Sequence, residues 1–103
     1  MTTPGAAVLS QSELTEAISG LPGWTLKAGK LHREYAFGDF VAAFGFMTSA
    51  ALVAQRMDHH PEWFNVFDKV RIDLSTHDAG GITGLDVRMA NSMEELANRW
   101  LPA

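Results

Sequence analysis

The chain has 103 residues and no cysteine, and its 47% hydrophobic and 19% charged residues are ordinary for a folded globular domain. This length is enough for one hydrophobic core, and the lack of cysteine excludes disulfides and thiolate metal sites. A net charge of −4 with scattered Lys and Arg argues against binding to a nucleic-acid backbone.

Two stretches bear on localisation. Residues 1–8 are small and polar, which predicts a disordered N-terminus before a single domain at residues 9–103. The start of the chain lacks the basic and apolar segments of a signal peptide. Residues 40–55 carry no charge, but they include glycine, threonine, serine and glutamine, so we expect them to be too short and too mixed to cross a bilayer. We expect a cytoplasmic protein with no membrane partner.

The first helix is predicted to begin after Ser10. Ser10 and Glu13 have the spacing of a capping box, and Leu14 begins an apolar face. Gly20, followed by Pro22, is typical of a helix end.

A first β-hairpin follows this helix. Its strands are predicted at residues 24–27 and 31–37, around a turn at residues 28–30. Arg33 interrupts the apolar alternation of the second strand. His32, the only histidine in the hairpin, is expected to be a strand-surface residue.

The second helix is predicted from Phe40 to about Met57, with Asp39 as its N-cap. It is apolar nearly all round, so both of its sides need covering, and Phe44 is expected in the core. This predicts self-association into a dimer or tetramer through this helix or its neighbour. The alternative is that the third helix covers it within one subunit.

The second hairpin is the clearest in the chain. Strands are predicted at residues 63–67 and 70–74, with the turn at Asp68 and Lys69. One face of the second strand should be buried, formed by Val70, Ile72 and Leu74.

A third helix is the last predicted element of the chain. Thr83 and Asp86 have capping-box spacing, and an apolar face that includes Leu96 runs to about Trp100. The resulting order, α-β-β-α-β-β-α, predicts an α+β, two-layer fold: a four-stranded antiparallel sheet with three helices packed on one face.

Histidines mark two corners of the chain. His59 and His60 directly precede Pro61, which disfavours regular structure at that point, and His77 follows the second hairpin. Histidine can both accept and donate protons near neutral pH. We expect the two corners to meet, so that three imidazoles contact different parts of one flat ligand.

Other interpretations stay open at this point. The His-Pro corner fits a solvated loop as well. A metal site is the more specific alternative, but these histidines lack the spacing of helical zinc ligands. Trp63 and Phe64 are placed to line a site for an aromatic ligand.

The stretch MDHHPEWFNVFDKVRIDLSTHDAGGITGLDV resembles the pterin-4a-carbinolamine dehydratase family. The shared pattern is His-His-Pro, Glu-Trp, Asn-Val, Ser-Thr-His, a Gly-containing turn and an Asp, and upstream GWTL and FGDFVAAFGFM also match. The resemblance extends over Leu9 to Trp100.

This resemblance implies a fold and an activity. The fold is a two-layer one in which pairs of subunits join their sheets and tetramers form through helices. The activity is loss of water from 4a-hydroxytetrahydrobiopterin to give quinonoid dihydropterin, which recycles tetrahydrobiopterin for an aromatic amino acid hydroxylase. No cofactor and no metal are implied. A non-catalytic role as a dimerisation, assembly or transcriptional-regulatory partner is the alternative that the same resemblance implies.

The resemblance also implies roles for residues. The catalytic set would be His59, His60 and His77, of which His59 and His77 transfer protons and His60 orients the pterin. The substrate would also be bound by Asp58, Ser75, Thr76 and Asp78. Supporting positions are Gln55, Pro61, Trp63 and Asp86, the last able to fix a histidine tautomer.

One position departs from the family pattern. Gln55 stands where many relatives carry Glu. An amide can still form hydrogen bonds but cannot accept a proton, so a role for this side chain as a base is in doubt.

Overall fold

The computed structural model describes residues 7–102, so most of the predicted disordered segment at residues 1–8 lies outside the described residues. The helices are α1 (Gln11–Ser19), α2 (Phe40–Met57) and α3 (Gly84–Trp100). The strands are β1 (Thr25–Lys27), β2 (Lys30–Ala36), β3 (Glu62–Val66) and β4 (Lys69–Leu74), and a short 3-10 helix spans His77–Ala79. The predicted element order and α+β class are confirmed.

The four strands form one antiparallel sheet in the order β1-β2-β4-β3. The two hairpins join where β2 pairs with β4, with Leu31 opposite Leu74 and Tyr35 opposite Val70. Alternate residues of these strands point toward the helices and are buried, including the predicted Val70, Ile72 and Leu74. The hydrophobic core lies between this face and the helices.

Side-chain caps begin all three α-helices, as the sequence predicts. Ser10 and Glu13 form a capping box on α1, and Thr83 and Asp86 form another on α3. The carboxylate of Asp39 accepts a hydrogen bond of 2.8 Å from the backbone of Ala42 in α2.

The turn of the second hairpin lies one residue earlier than predicted. It consists of Phe67 and Asp68, and Val66 pairs with Lys69. Phe67 has a positive φ of 50°, a conformation that large residues seldom adopt. The side-chain amide of Asn65 donates to the carbonyls of Phe67 and Lys69 at 3.2 and 2.9 Å, which stabilises this conformation.

Arg33 points toward the helices, where α3 supplies its partner. Its Nε donates to the Glu94 carboxylate at 3.1 Å, and its guanidinium lies 4.1 Å from the centre of the Tyr35 ring. Tyr35 and Trp24 also donate to Glu94. Burial, followed by the hydrogen bond to Glu94, raises the pKa of Tyr35.

His32 lies on the sheet face opposite the core, but the prediction of a strand-surface residue is wrong in one respect, since it is only 8% exposed. Its Nδ1 and Nε2 lie 2.8 Å from carboxylate oxygens of Asp73 and Glu34, respectively. Hydrogen bonds to Glu34 and then to Asp73 raise the pKa of His32. These flanking carboxylates cover the ring.

Helix α2 has one buried and one exposed apolar face. The buried face consists of Ala43, Phe46, Ala50 and Ala54. Phe44, predicted in the core, is 53% exposed, together with Phe40, Val41 and Leu52. The prediction for Phe44 is wrong because the sheet and α3 cover only the opposite side of the helix. Leu96 of α3 is partly buried against the core.

The apolar character of α2 is stronger than the expectation for residues 40–55, which judged them too short and too mixed to cross a bilayer. Its 18 residues have a mean hydropathy of 1.3, and it is the one helix within residues 7–102 long and apolar enough to cross a membrane by length and composition. Its packing accounts for part of this character. At Gly45 an added Cβ would lie 2.6 Å from the Trp100 ring, so the absence of a side chain lets α3 pack closely.

Candidate functional site

The first histidine corner is shaped by the end of α2. Asp58 ends the helix in the left-handed conformation, with φ 52° and ψ 43°. The backbone N–H groups of Asp58 and His59 donate back to the carbonyls of Gln55 and Ala54 at 3.2 and 3.1 Å. This turn directs His59 into the protein, where it is 5% exposed, and leaves His60 exposed.

His59 is paired with a buried carboxylate. Its Nε2 lies 2.5 Å from Oδ1 of Asp86, which is 0% exposed. An ionised carboxylate only accepts hydrogen bonds, so Nε2 of His59 is the donor. The pairing therefore fixes both the ring orientation and the nitrogen that carries this proton.

The same carboxylate also reaches the second corner. Oδ2 of Asp86 accepts from Thr76 Oγ1 at 2.8 Å and from the Thr83 backbone at 2.9 Å. The hydroxyls of Thr76 and Thr83 lie 2.7 Å apart, and since Thr76 donates to Asp86, Thr83 donates to Thr76. Asp86 thus connects His59 to the residue that precedes His77.

His60 contacts the last turn of α2. Its Nε2 lies 3.2 Å from the side-chain oxygen of Gln55. Since the amide oxygen is an acceptor, Nε2 donates and the other ring nitrogen, Nδ1, faces away from this contact. Gln55 therefore orients the exposed imidazole without adding a charge to it.

His77 lies at the second corner, in the short 3-10 helix, and is exposed. It lines an open cavity of about 270 Å³ together with Ser75, Thr76 and the Gly80–Gly81 turn. Gly80 has φ 79°, and its backbone N–H donates to the His77 carbonyl at 3.1 Å. His59 and His60 are not among the residues that line this cavity.

The structure brings the two corners together through Asp86. The arrangement of all three histidine rings around one ligand stays a prediction. Within residues 7–102, no group of three or more His, Cys, Asp or Glu side chains is placed to hold a metal ion.

The remaining predicted site residues occupy varied positions. Asp58 and Asp78 are exposed, and Pro61 is partly buried. Trp63 packs against the core, whereas Phe64 lies on the other face of β3 with the Arg71 guanidinium 4.6 Å from its ring centre. The two aromatic side chains therefore cannot form one wall of a site.

One wall of the His77 cavity was not predicted from the sequence. The turn of the first hairpin, Ala28 and Gly29, lines it together with Lys30. Lys30 also forms an ion pair with Glu62, two residues after His60. The pairing of β2 with β4 brings this turn beside the second corner, a relation that no local sequence pattern carries.

Comparison with known proteins identifies the family. The family model for pterin 4 alpha carbinolamine dehydratase matches residues 7–96. A protein of Solibacter usitatus is 57% identical over 89 residues, 86% of this chain and 94% of that protein. A protein of Rhizobium rhizogenes is 50% identical over 93 residues, 88% of this chain and 92% of that one. Both are provisionally named pterin-4-alpha-carbinolamine dehydratase. This chain belongs to the pterin-4a-carbinolamine dehydratase family.

Solved structures of the dehydratase family share the fold. A protein of Brucella melitensis described as a transcriptional coactivator/pterin dehydratase has a TM-score of 0.85 at 46% identity, over 87% of this chain and 98% of that one. A pterin dehydratase-like protein described as a RuBisCO assembly factor of the alpha-carboxysome has a TM-score of 0.60 at 21% identity, over 72% and 86%. The second likeness shows the fold alone.

Proposed function

We propose that this chain dehydrates pterin-4a-carbinolamine, 4a-hydroxytetrahydrobiopterin, to quinonoid dihydropterin and water, a step in tetrahydrobiopterin recycling. The observation that carries the proposal is the Asp86 carboxylate, which joins His59 of the first corner to Thr76, the neighbour of His77, in the second. Family membership supplies the substrate class. The buried connection supplies a physical reason for two histidine corners to act as one site.

The reaction needs two proton movements. The N5–H bond breaks, its electrons form the N5–C4a double bond, and the 4a-hydroxyl takes up a proton and leaves as water. Exposed imidazoles can perform both transfers. We assign these transfers to His60 and His77, which are exposed. The resemblance implied a transfer by His59 instead of His60, but His59 is 5% exposed and its Nε2 donates to Asp86. Asp58, Ser75 and Asp78, neighbours of the two corners in the chain, are candidate contacts to the polar edge of the pterin.

Turnover on authentic substrate tests this proposal. The carbinolamine is generated in situ and the quinonoid product is followed by its absorbance. We expect the wild type to accelerate dehydration and the double variant His60→Ala, His77→Ala to lose about 10²-fold or more of this acceleration. His32→Gln, a histidine substitution on the far side of the sheet, is the control. If wild type and double variant both match buffer, the enzyme proposal is wrong.

We further infer that the exposed face of α2 binds a second copy of the chain in a dimer or tetramer. This face carries Phe40, Val41 and Phe44, and beside it a hollow of about 470 Å³ is lined by Gly45 and Trp100. A continuous apolar surface of this kind is unfavourable in contact with water.

Light scattering at micromolar concentration tests the inference. The wild type should be oligomeric and Phe44→Glu should shift it toward the monomer, with Arg88→Glu on exposed α3 surface as control. A monomeric wild type that is captured by a stoichiometric partner and shows no turnover would instead favour the alternative function, a non-catalytic assembly or regulatory partner.

A further inference from the structure

We propose that Lys30 is a further ligand-binding residue, whose ammonium group holds a polar oxygen of the pterin ring at the cavity beside His77. The inference rests on the proposed function and deepens it. It adds to the site a side chain from the first hairpin, an element outside both corners.

Two observations define the position of Lys30. The residue lines the same cavity as His77 and Ser75. Its ammonium group donates to the carboxylate of Glu62, which follows the His60–Pro61 corner. Lys30 therefore lines the cavity of the second corner and contacts a residue that follows the first corner in the chain.

The chemistry of the ammonium group suits this role. It has three N–H donors, and the contact with Glu62 uses one of them. The hydrogen bond that Lys30 donates to Glu62 raises the pKa of Lys30, so the side chain keeps its charge at neutral pH. The side chain is 35% exposed, which leaves it accessible from the cavity. A ring carbonyl is a suitable acceptor for the remaining donors.

An alternative is that the Lys30–Glu62 pair only positions the corners. The two interpretations predict different results for a matched pair of variants. Lys30→Met removes the cation and keeps the apolar stem, whereas Glu62→Gln breaks the same ion pair and keeps the cation. Exposed ion pairs contribute little to folding, so both variants should fold.

Calorimetric titration with 7,8-dihydropterin, which has the ring without the 4a-hydroxyl, measures binding independently of catalysis. We expect Lys30→Met to weaken binding on the order of ten-fold, the size of a charged hydrogen bond, and Glu62→Gln to leave it within about two-fold. In turnover, Lys30→Met should raise KM and leave kcat within about two-fold.

Each result decides the matter. Equal weakening of binding in both variants would show that the ion pair only positions the corners. Unchanged binding by Lys30→Met would show that Lys30 makes no contact with the ring. Either result overturns the inference about Lys30 and leaves the dehydratase proposal intact if the wild type turns over the substrate. Ring binding by the wild type that Lys30→Met weakens, without any turnover, would support Lys30 and overturn the dehydratase proposal. A wild type that neither binds nor turns over the pterin would overturn both.

Discussion

His59 and His60 are neighbours in the chain, yet they lie in opposite environments. His59 is buried and its Nε2 is bound to Asp86, whereas His60 is exposed and contacts the neutral amide of Gln55. The left-handed conformation of Asp58 ends α2 immediately before them and sends one ring inward. The difference teaches that adjacent histidines can take different roles: the inner ring connects two parts of the structure, and the proposed function gives the outer ring the contact with the ligand.

The same division extends to the second corner. Thr76 is buried and donates to Asp86, and His77, the next residue, is exposed in the cavity. The inner region therefore consists of His59, Thr76, Thr83 and Asp86, and the outer region of His60 and His77. Substitutions in the inner region should affect both folding and activity, and substitutions in the outer region should affect activity alone.

The largest effect is expected for Asp86→Ala. Removing the carboxylate leaves three buried donors, on His59, Thr76 and Thr83, without their acceptor. Each buried donor left without a partner costs about 1–3 kcal/mol, so the variant should be strongly destabilised in urea unfolding and inactive. Glu95→Gln, an exposed carboxylate on the same helix, should stay within about 0.5 kcal/mol of the wild type.

Asp86→Asn sharpens this test. Its amide oxygen can keep the contacts with Thr76 and Thr83, but its NH₂ group then faces His59 and forces Nε2 to accept. We expect a smaller loss of stability, about 1–2 kcal/mol, with a changed tautomer of His59 in ring ¹⁵N NMR and strongly reduced turnover. Full activity in this variant would contradict the positioning role of Asp86.

The second prediction concerns the outer region. His77→Ala should lower turnover about 10²-fold or more while the free energy of unfolding changes by less than about 0.5 kcal/mol. His59→Ala should lower both, since it leaves the Asp86 carboxylate without one of its donors. Equal destabilisation by the two substitutions would remove the distinction between inner and outer regions.

The local features of the fold could be predicted from the sequence because they depend on neighbours along the chain. Capping boxes at Ser10 and Thr83, the alternation of β4 and the break at Pro61 are all of this kind. Apart from a contact between Asp86 and a histidine, which the family resemblance implied, the polar connections between distant elements could not be predicted. Glu94 and Asp86 satisfy polar groups on other elements, and which residue meets which is set by sheet register and helix packing.

For the site, the residue types indicated proton chemistry, but their burial was not visible in the sequence. Nothing in the pair His59–His60 tells which ring turns inward, because that depends on the left-handed backbone of Asp58. The cavity wall at Lys30 and the exposure of Phe44 could not be predicted for a similar reason. Both depend on which surfaces the neighbouring elements cover.

The third prediction concerns Gln55 as a positioning residue. Gln55→Ala removes the acceptor for Nε2 of His60 and should lower turnover by several-fold, with little change in stability because both side chains are exposed. Gln55→Glu keeps the acceptor and adds a negative charge, which should strengthen the hydrogen bond from Nε2 of His60 and stabilise the Nε2–H form. Ring ¹⁵N NMR of His60 measures the tautomer directly. If Gln55→Ala leaves both tautomer and turnover unchanged, the contact has no positioning role.

The smallest effect is expected at His32, which lies on the face of the sheet opposite the core and contacts neither histidine corner. Both ring nitrogens of His32 face carboxylates, of Asp73 and Glu34, so the ring satisfies both only when doubly protonated. The pKa of His32 is raised chiefly by Glu34, then by Asp73, with burial and then Lys27 of β1 acting in the opposite direction. The stabilisation is therefore fully present below the unfolded pKa of about 6.5 and is lost as the pH rises through the higher folded value.

Urea unfolding of wild type and His32→Gln at pH 5.5 and 8.5, at one protein concentration, measures this contribution. The wild type should exceed the variant by about 0.5–1 kcal/mol more at pH 5.5 than at pH 8.5, a modest value because solvent reaches the Glu34 carboxylate. Titration of other groups on this face, such as Lys30, Glu62 and Arg71, is common to both proteins and cancels in the difference. A difference independent of pH would show that the ring is neutral, and the outer face of the sheet would then be held by its backbone pairing rather than by charge.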